Sequence, residues 1–71
     1  MKKYLVIFEK TSIGYSAYVP DLPGCVATGI TKEETEKNIF EAIQFHLEGL
    51  VLEVAAILEP ISEAEVLFFQ A

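Results

Sequence analysis

Hydrophobic and polar positions alternate along the first thirty residues, in a pattern typical of β-strands. Residues 3–9 carry aromatic and β-branched side chains in both alternating sets, which predicts a strand that is apolar on both faces. A polar loop at residues 10–14 leads into a second alternating segment at residues 15–19, and the two strands are expected to form an antiparallel hairpin. Two prolines and a glycine within residues 20–24 then reverse the chain, so we predict a third strand at residues 25–30.

A helix start follows the third predicted strand. The hydroxyl of Thr31 is placed to cap a helix, and Glu34, three residues later, is placed to bond back to that cap. Apolar residues then recur at helical spacing, while polar residues occupy the other side. The apolar face comprises Ile39, Ala42, Ile43, Leu47 and Leu50. No helix breaker precedes Pro60, and we place the end of the helix near Glu53.

The last segment is too apolar to be left as an unpaired tail. Residues 65–70 read Glu-Val-Leu-Phe-Phe-Gln, and we predict a final strand there. Residues 1–71 are therefore expected to form one α+β domain with the order β-β-β-α-β, in which one long helix covers one face of a small antiparallel sheet.

A sheet with a helix on one face leaves its other face open. The two alternating sets are Tyr4, Val6 and Phe8, and on the opposite side Leu5, Ile7 and Tyr18. Either set can face the helix, and the other then remains as apolar surface for a partner.

Composition narrows the function classes. The chain has 71 residues, of which 52% are hydrophobic, and a core of this size barely offsets the entropy of ordering the chain. We therefore expect a homodimer or a higher homo-oligomer. Cys25 is the only cysteine, the first residues do not follow a signal-peptide pattern, and the apolar stretches are too short to span a bilayer. We therefore expect a cytoplasmic protein that does not enter membranes.

The net charge of −6 is unevenly distributed. Residues 1–31 sum to +1, from three lysines and two acids, whereas residues 32–71 sum to −7, from two lysines and nine acids. A negative field repels phosphate backbones and attracts basic proteins, so we expect no direct nucleic-acid binding and a basic protein partner. A solvated helix face that keeps the chain in solution explains the same charges.

One segment is more specific than these patterns. Pro20-Asp-Leu-Pro-Gly-Cys25, within residues 15–29 and followed by Thr31-Lys-Glu-Glu and the helix, closely resembles the HicB-like antitoxins, and the resemblance spans about residues 3–60. The resemblance implies a truncated RNase H-like fold and a function in neutralising HicA, a small basic mRNA-cleaving toxin.

Two features depart from the family pattern. Many members append a DNA-binding module, whereas this sequence ends at Ala71, so we expect a short form without direct contact to operator DNA. Residues 51–58 are also more apolar than the polar, proline-rich link that members of the family usually have after the helix.

Inhibition by binding requires an acidic surface that covers the basic active site of the toxin and displaces its RNA. Aromatic side chains often anchor contacts of this kind. The candidate toxin-binding residues are Tyr15, Tyr18, Asp21, Glu34, Glu41 and Glu48. The candidate residues of an oligomer interface are Phe45, Leu52, Val66 and Phe68.

Other hypotheses stand beside the antitoxin hypothesis. Asp21 would fit a remnant RNase H-type metal site, but it is the only aspartate, and an Asx-type hydrogen bond within its own turn explains it better. His46 and Cys25 are each single, so ordinary packing is preferred to a metal site or a nucleophilic pair. We therefore predict no enzyme activity, metal or cofactor. An orphan oligomerising or regulatory domain without a toxin partner is the other non-enzymatic hypothesis.

Overall fold

Three short strands and one long helix make up the regular structure in the described part of the chain. The computed structural model describes residues 2–52 and 59–70, with side chains at residues 2–49 and 59–70. The elements are β1 (Ile7–Lys10), β2 (Tyr15–Tyr18), β3 (Val26–Gly29) and α1 (Lys32–Leu52). The strands form one antiparallel sheet in the order β1-β2-β3. The predicted α+β class, a helix on a small antiparallel sheet, is confirmed.

The register of the sheet decides which side chains face the helix. Phe8 pairs with Ala17, which in turn pairs with Ala27, so these three side chains share one face of the sheet. Ala17 is buried in the same core as Ile39 of the helix, and Phe8 and Ala27 pack against that core. Of the two arrangements that the alternation allows, the structure therefore has the one in which Phe8 faces the helix.

Within the described part of the chain, no helix packs on the opposite face of the sheet, which we call the open face. Ile7, Tyr18 and Val26 lie side by side across the three strands on this face. The side chain of Tyr18 is 37% exposed and that of Val26 is 65% exposed. Because α1 packs on the other side, part of this apolar face is exposed in the described part of the chain, and its contact with a partner stays a prediction.

A small core holds the helix on the sheet. Its buried apolar residues are Ala17, Val19, Leu22, Cys25 and Ile39. The partly buried helix residues that pack against them are Ala42, Ile43 and Leu47. Thr35 is buried as well, and its hydroxyl donates a hydrogen bond to the backbone carbonyl of Thr31 at 2.8 Å. The one buried polar side chain of the described core is thus satisfied within the helix.

The helix begins where the sequence predicts. The backbone N–H of Glu34 donates a hydrogen bond to Thr31 Oγ1 at 3.0 Å, which satisfies one of the amide donors at the start of the helix. The helix is described to Leu52, one residue before the predicted end near Glu53, which lies outside the described residues. In the described part of the chain, no helix combines the length and apolar character needed to cross a membrane.

Two consecutive β-turns connect β2 to β3. The N–H of Leu22 donates to the carbonyl of Val19 at 3.1 Å, and the N–H of Cys25 donates to the carbonyl of Leu22 at 3.1 Å. Gly24 has a φ of +82°, the left-handed position that follows proline in a type II turn. A third hydrogen bond, from the N–H of Val19 to the carbonyl of Cys25 at 3.2 Å, closes this double turn, and the shared residue Leu22 is 0% exposed.

The predicted final strand is wrong for the chain as it is folded here. Residues 59–70 contain no strand, and the described sheet ends at three strands. The reason lies at Asp21, whose carboxylate accepts hydrogen bonds from the backbone of Ile61 and Ser62 and so holds the segment beside the double turn. The first strand is also shorter than predicted, since pairing begins at Ile7 and not at residue 3.

Candidate functional site

Three acidic residues form a stripe along one side of α1. Glu34, Glu41 and Glu48 are exposed and seven residues apart, so about 10 Å of helix separates each from the next. Asn38 lies between the first two on the same side, and its Nδ2 donates a hydrogen bond to the carbonyl of Thr28 in β3 at 2.8 Å. The acidic stripe therefore runs along the side of the helix that faces the edge strand β3.

An exposed aromatic ring lies within the acidic stripe. Phe45 is one helical turn after Glu41 and one turn before Glu48, and its side chain is 78% exposed. The ring borders a groove of about 450 Å³ between the helix and the start of β3. Ala42 lines the groove from the helix and Val26 lines it from the sheet. Two carboxylates thus flank an apolar side chain beside a mainly apolar groove.

The single thiol and the single imidazole both border this groove. Cys25 is buried, and burial raises the pKa of its thiol, so the thiol stays protonated near neutral pH. His46 is partly buried at the edge of the helix, which agrees with the packing interpretation. Among residues 2–52 and 59–70, no three side chains of His, Cys, Asp or Glu lie close enough together to hold a metal ion.

A second hollow brings Tyr15 next to the first acid of the stripe. This hollow, of about 320 Å³, is bordered by Tyr15, Glu34 and the exposed side chains of Ile13 and Ile30. Tyr15 pairs with Gly29 in the sheet register, which places it on the helix-facing side. Two of the predicted toxin-binding residues, Tyr15 and Glu34, thus meet at one end of the acidic stripe.

Tyr18 lies on a different surface from the acids. Its ring is on the open face of the sheet, between Ile7 and Val26, whereas the stripe belongs to the helix on the opposite face. Val26, at the sheet edge, borders both the open face and the groove beside Phe45. A partner must therefore reach around the β3 edge to contact Tyr18 and the acidic stripe at once.

Asp21 forms a clasp with the segment that follows the helix. Its Oδ2 accepts hydrogen bonds from the N–H groups of Ser62 at 2.9 Å and Ile61 at 3.0 Å, and its Oδ1 accepts one from the Ser62 hydroxyl at 2.7 Å. These hydrogen bonds, foremost that from the Ser62 backbone, hold the pKa of Asp21 below its ordinary value. The Asx-type role expected from the sequence is corrected accordingly, because backbone hydrogen bonds already close the turns around Asp21.

An ion pair lies at the start of the same segment. Lys2 Nζ donates a hydrogen bond to Glu59 Oε1 at 2.6 Å, and this hydrogen bond raises the pKa of Lys2. Lys2 and Glu59 are 57 positions apart, and Asp21 is 40 or more positions from its partners. Neither contact was predictable from the sequence, because local patterns carry no signal for partners so far apart along the chain.

The predicted oligomer-interface residues that the structure describes are all exposed. The exposed fractions are 78% for Phe45, 81% for Val66 and 95% for Phe68. Leu52 ends the described helix, and its side chain lies outside the described residues. Their part in an interface stays a prediction.

Comparison with known families shows which proteins share this arrangement. A family model for the HicB-like antitoxin of bacterial toxin-antitoxin systems matches residues 4–68, nearly the whole chain. The chain belongs to the HicB-like antitoxin family. The match includes the double turn and α1, and it extends past the clasp at Asp21.

Relatives of this HicB-like chain occur in several organisms. A 14.9 kDa protein of Haemophilus phage HP1 is 46% identical over 48 residues, which are 68% of this chain and 36% of that protein. A UPF0150 protein of Helicobacter pylori is 44% identical over 52 residues, 73% of this chain and 72% of the relative. A UPF0150 protein of Thermoplasma acidophilum is 49% identical over 49 residues, 68% and 71% of the two chains. The chain thus spans about a third of the phage protein.

A solved structure shares the HicB-like fold. A chain of a HicA3 and HicB3 toxin-antitoxin complex is similar to this chain with a TM-score of 0.72 and 33% sequence identity. The similarity covers 84% of this chain and 70% of that one. It confirms the three-stranded antiparallel sheet with one long helix, while the truncated RNase H-like description stays a prediction.

Proposed function

We propose that this HicB-like chain neutralises a small basic ribonuclease toxin of the HicA type by binding it through the acidic stripe and the adjoining groove. The observation that carries the proposal is the alignment of Glu34, Glu41 and Glu48 on one side of α1, around the exposed ring of Phe45. The family match and the similarity to a chain of a toxin-antitoxin complex support this class of function.

The acidic stripe supplies the electrostatic part of the interaction. A ribonuclease that holds RNA through positive charge presents that charge to any acidic surface, so the stripe steers association and competes with RNA phosphates. One exposed ion pair contributes only about 0.2–1 kcal/mol, so the three carboxylates act together and an apolar contact must add to them.

Phe45 supplies that apolar contact. Its ring is mostly exposed in the isolated chain, and burying a phenylalanine side chain contributes about 1.5–3 kcal/mol. An anchor residue at the centre of a contact, with a polar rim around it, is a common arrangement in protein interfaces. The sequence predicts Phe45 in an oligomer interface, whereas its position between Glu41 and Glu48 favours a contact with the toxin.

Inhibition of this kind needs no catalytic step from the antitoxin. The buried thiol of Cys25 stays protonated, and the oxygens of Asp21 are engaged by Ile61 and Ser62. Neither group is presented to a substrate, so the proposal assigns the chain a stoichiometric role: one antitoxin molecule covers an active site for as long as it stays bound.

Reversal of two charges in the acidic stripe tests the proposal. Glu41→Lys combined with Glu48→Lys places positive charges on both sides of Phe45, so the affinity for a HicA-type toxin should fall at least about tenfold. The probe is a purified HicA-type toxin, and isothermal titration calorimetry at fixed salt concentration measures the change.

The matched control is Glu33→Lys combined with Glu36→Lys. These acids are exposed on the same helix but lie off the stripe, and the substitutions change the net charge by the same amount. The affinity of the control should stay within about threefold of the original. Equal losses in the two double variants would show that net charge governs binding, and two unchanged affinities would remove the stripe from the interface. Either result contradicts the proposal.

The orphan-domain hypothesis makes a different prediction for the same toxin. It requires that the purified chain does not bind the toxin and does not restore growth to cells that express it. Binding without growth rescue would separate complex formation from neutralisation, and it would contradict the proposed function even if the stripe forms the contact.

A further inference from the structure

The second hollow lies at one end of the seam along which α1 packs on β3, and we call it the end hollow. Its volume is about 320 Å³, and it is bordered by the loop between β1 and β2, the end of β3 and the first turn of α1. Ile13 and Ile30 line it with side chains that are 79% and 63% exposed. Two large apolar side chains from distant parts of the sequence are thus presented to solvent around one depression.

The backbone around the end hollow is closely packed. A Cβ on Gly14 would clash with the carbonyl oxygen of Gly29 and lie 2.9 Å from Ile30 Cα, so the loop rests directly on the end of β3. A Cβ on Gly29 would lie 2.6 Å from Thr35 Oγ1, so β3 in turn rests on the helix. Two hydrogen bonds between Thr11 and Gly14, at 2.8 and 3.0 Å, close the loop. The end hollow is therefore preformed, and a ligand does not have to order it.

The end hollow and the groove beside Phe45 lie on the same side of α1. Glu34 borders the hollow and Phe45 borders the groove, and eleven helical residues make three turns plus about 20°. The two positions are about 17 Å apart along the helix axis. β3 follows the same seam, since Gly29 lines the hollow and Val26 lines the groove. One partner surface laid along the seam therefore reaches both.

Charge decides which partner suits the end hollow. Glu34 is the one charged side chain among the described residues that line it. An apolar side chain beside a lysine or an arginine complements two isoleucines and one carboxylate. A second copy of this chain, whose net charge is −6, would bring like charge to the same place. A basic protein is the better match.

We propose that the end hollow receives an apolar side chain of the toxin that lies next to a lysine or an arginine, while Phe45 contacts the same toxin molecule about 17 Å away. The inference rests on the proposed function and adds a second anchor to it. At the first anchor, the antitoxin supplies the ring of Phe45. At the second, it supplies a preformed hollow with walls of Ile13 and Ile30.

Loss of both isoleucines tests the end hollow. Ile13→Ser combined with Ile30→Ser should raise the dissociation constant for a purified HicA-type toxin at least about tenfold, because the apolar walls are removed. The matched control is Val66→Ser combined with Leu67→Ser, at side chains that are 81% and 60% exposed and line neither the hollow nor the groove. The control should stay within about threefold of the original. Isothermal titration calorimetry measures both, and circular dichroism checks that each variant retains its helix.

Methyl NMR then locates the contact. In a chain labelled at its isoleucine methyl groups, those of Ile13 and Ile30 should show intermolecular NOEs to an apolar side chain of the bound toxin that lies next to a lysine or an arginine. Ile61, which is 82% exposed beside the clasp, is the internal control and should show none.

The outcomes separate this inference from the proposed function. If the original chain binds the toxin and the Glu41→Lys, Glu48→Lys variant loses affinity while the isoleucine variant does not, the end hollow is not used and this inference alone is overturned. Equal losses in the isoleucine variant and its control, or a loss without NOEs from Ile13 and Ile30, would overturn it as well. An original chain that does not bind the toxin would contradict both the proposed function and the second anchor.

Discussion

The double turn, residues 19–25, and the C-terminal tail, residues 63–70, both contain large apolar side chains. Those of the turn are buried, whereas those of the tail are exposed. Leu22, at the centre of the turn, is 0% exposed, whereas Phe68 in the tail is 95% exposed. Three backbone hydrogen bonds close the turn within residues 19–25, and its two prolines and the left-handed Gly24 shape it locally. The tail has its hydrogen-bonded contact before it begins, at Ile61 and Ser62, and then leaves the sheet.

The comparison shows that an apolar side chain is buried only where the backbone around it has a partner. The double turn supplies its own partners, so it carries Leu22 into the core without help from a distant part of the chain. The tail would need a strand edge to supply such partners, and residues 63–70 form no strand. The first region stabilises the chain, whereas the large apolar side chains of the second are exposed in the described part of the fold.

Truncation of an apolar side chain in each region should give the largest difference. Leu22→Ala should lower the free energy of unfolding by about 2–5 kcal/mol, because it opens a cavity in a small core. Leu67→Ala should change it by no more than about 0.5 kcal/mol at concentrations where the chain is monomeric. Urea denaturation followed by circular dichroism measures both. Equal losses would show that the tail packs on its own chain.

Two glycines permit a sharper test of the local geometry of the turn. Gly24→Ala should cost about 1–2 kcal/mol, because φ is +82° and an added Cβ is strained there although no atom lies within 4 Å of it. Gly49→Ala, which is helical and equally unobstructed, should stabilise the chain by about 0.5–1 kcal/mol. Thermal denaturation of the two variants should therefore shift in opposite directions, and a shift in the same direction would contradict the turn geometry.

The clasp that links the two regions should respond to acid. Its hydrogen bonds lower the pKa of Asp21 in the folded chain, so their contribution is fully present above the ordinary value of 3.8 and is lost as the pH falls through the lower folded value. The amide signals of Ile61 and Ser62 in NMR spectra should move only in that acidic range. In Asp21→Asn they should already be displaced at neutral pH. Identical amide exchange in the two proteins at neutral pH would show that no clasp forms.

Local signals predicted most of the fold. Alternation gave the three strands, the Thr31 cap gave the helix start, and Pro23 with Gly24 gave the reversal between β2 and β3. The prediction of a fourth strand was wrong because apolar composition alone does not determine whether a segment pairs with a strand edge. Pairing depends on where the clasp at Asp21 places the segment, and no local sequence pattern encodes that position.

Local signals also predicted part of the candidate site. The seven-residue spacing of Glu34, Glu41 and Glu48 is visible in the sequence, and helix geometry alone places them on one side. The groove beside Phe45 was not predictable, because it depends on how the helix crosses β3. The engagement of Asp21 by the segment after the helix was missed as well, so its predicted contact with a toxin now competes with an existing set of hydrogen bonds.

A titration of toxin activity tests the central claim of neutralisation by contact most directly. Cleavage of a defined RNA by the HicA-type toxin is measured as this HicB-like chain is added. Cleavage should decrease in proportion to the added chain and stop at stoichiometric equivalence, and the chain alone should leave the RNA intact with or without magnesium. Cleavage that persists at a large excess of the chain, or RNA cleavage by the chain itself, would contradict the account.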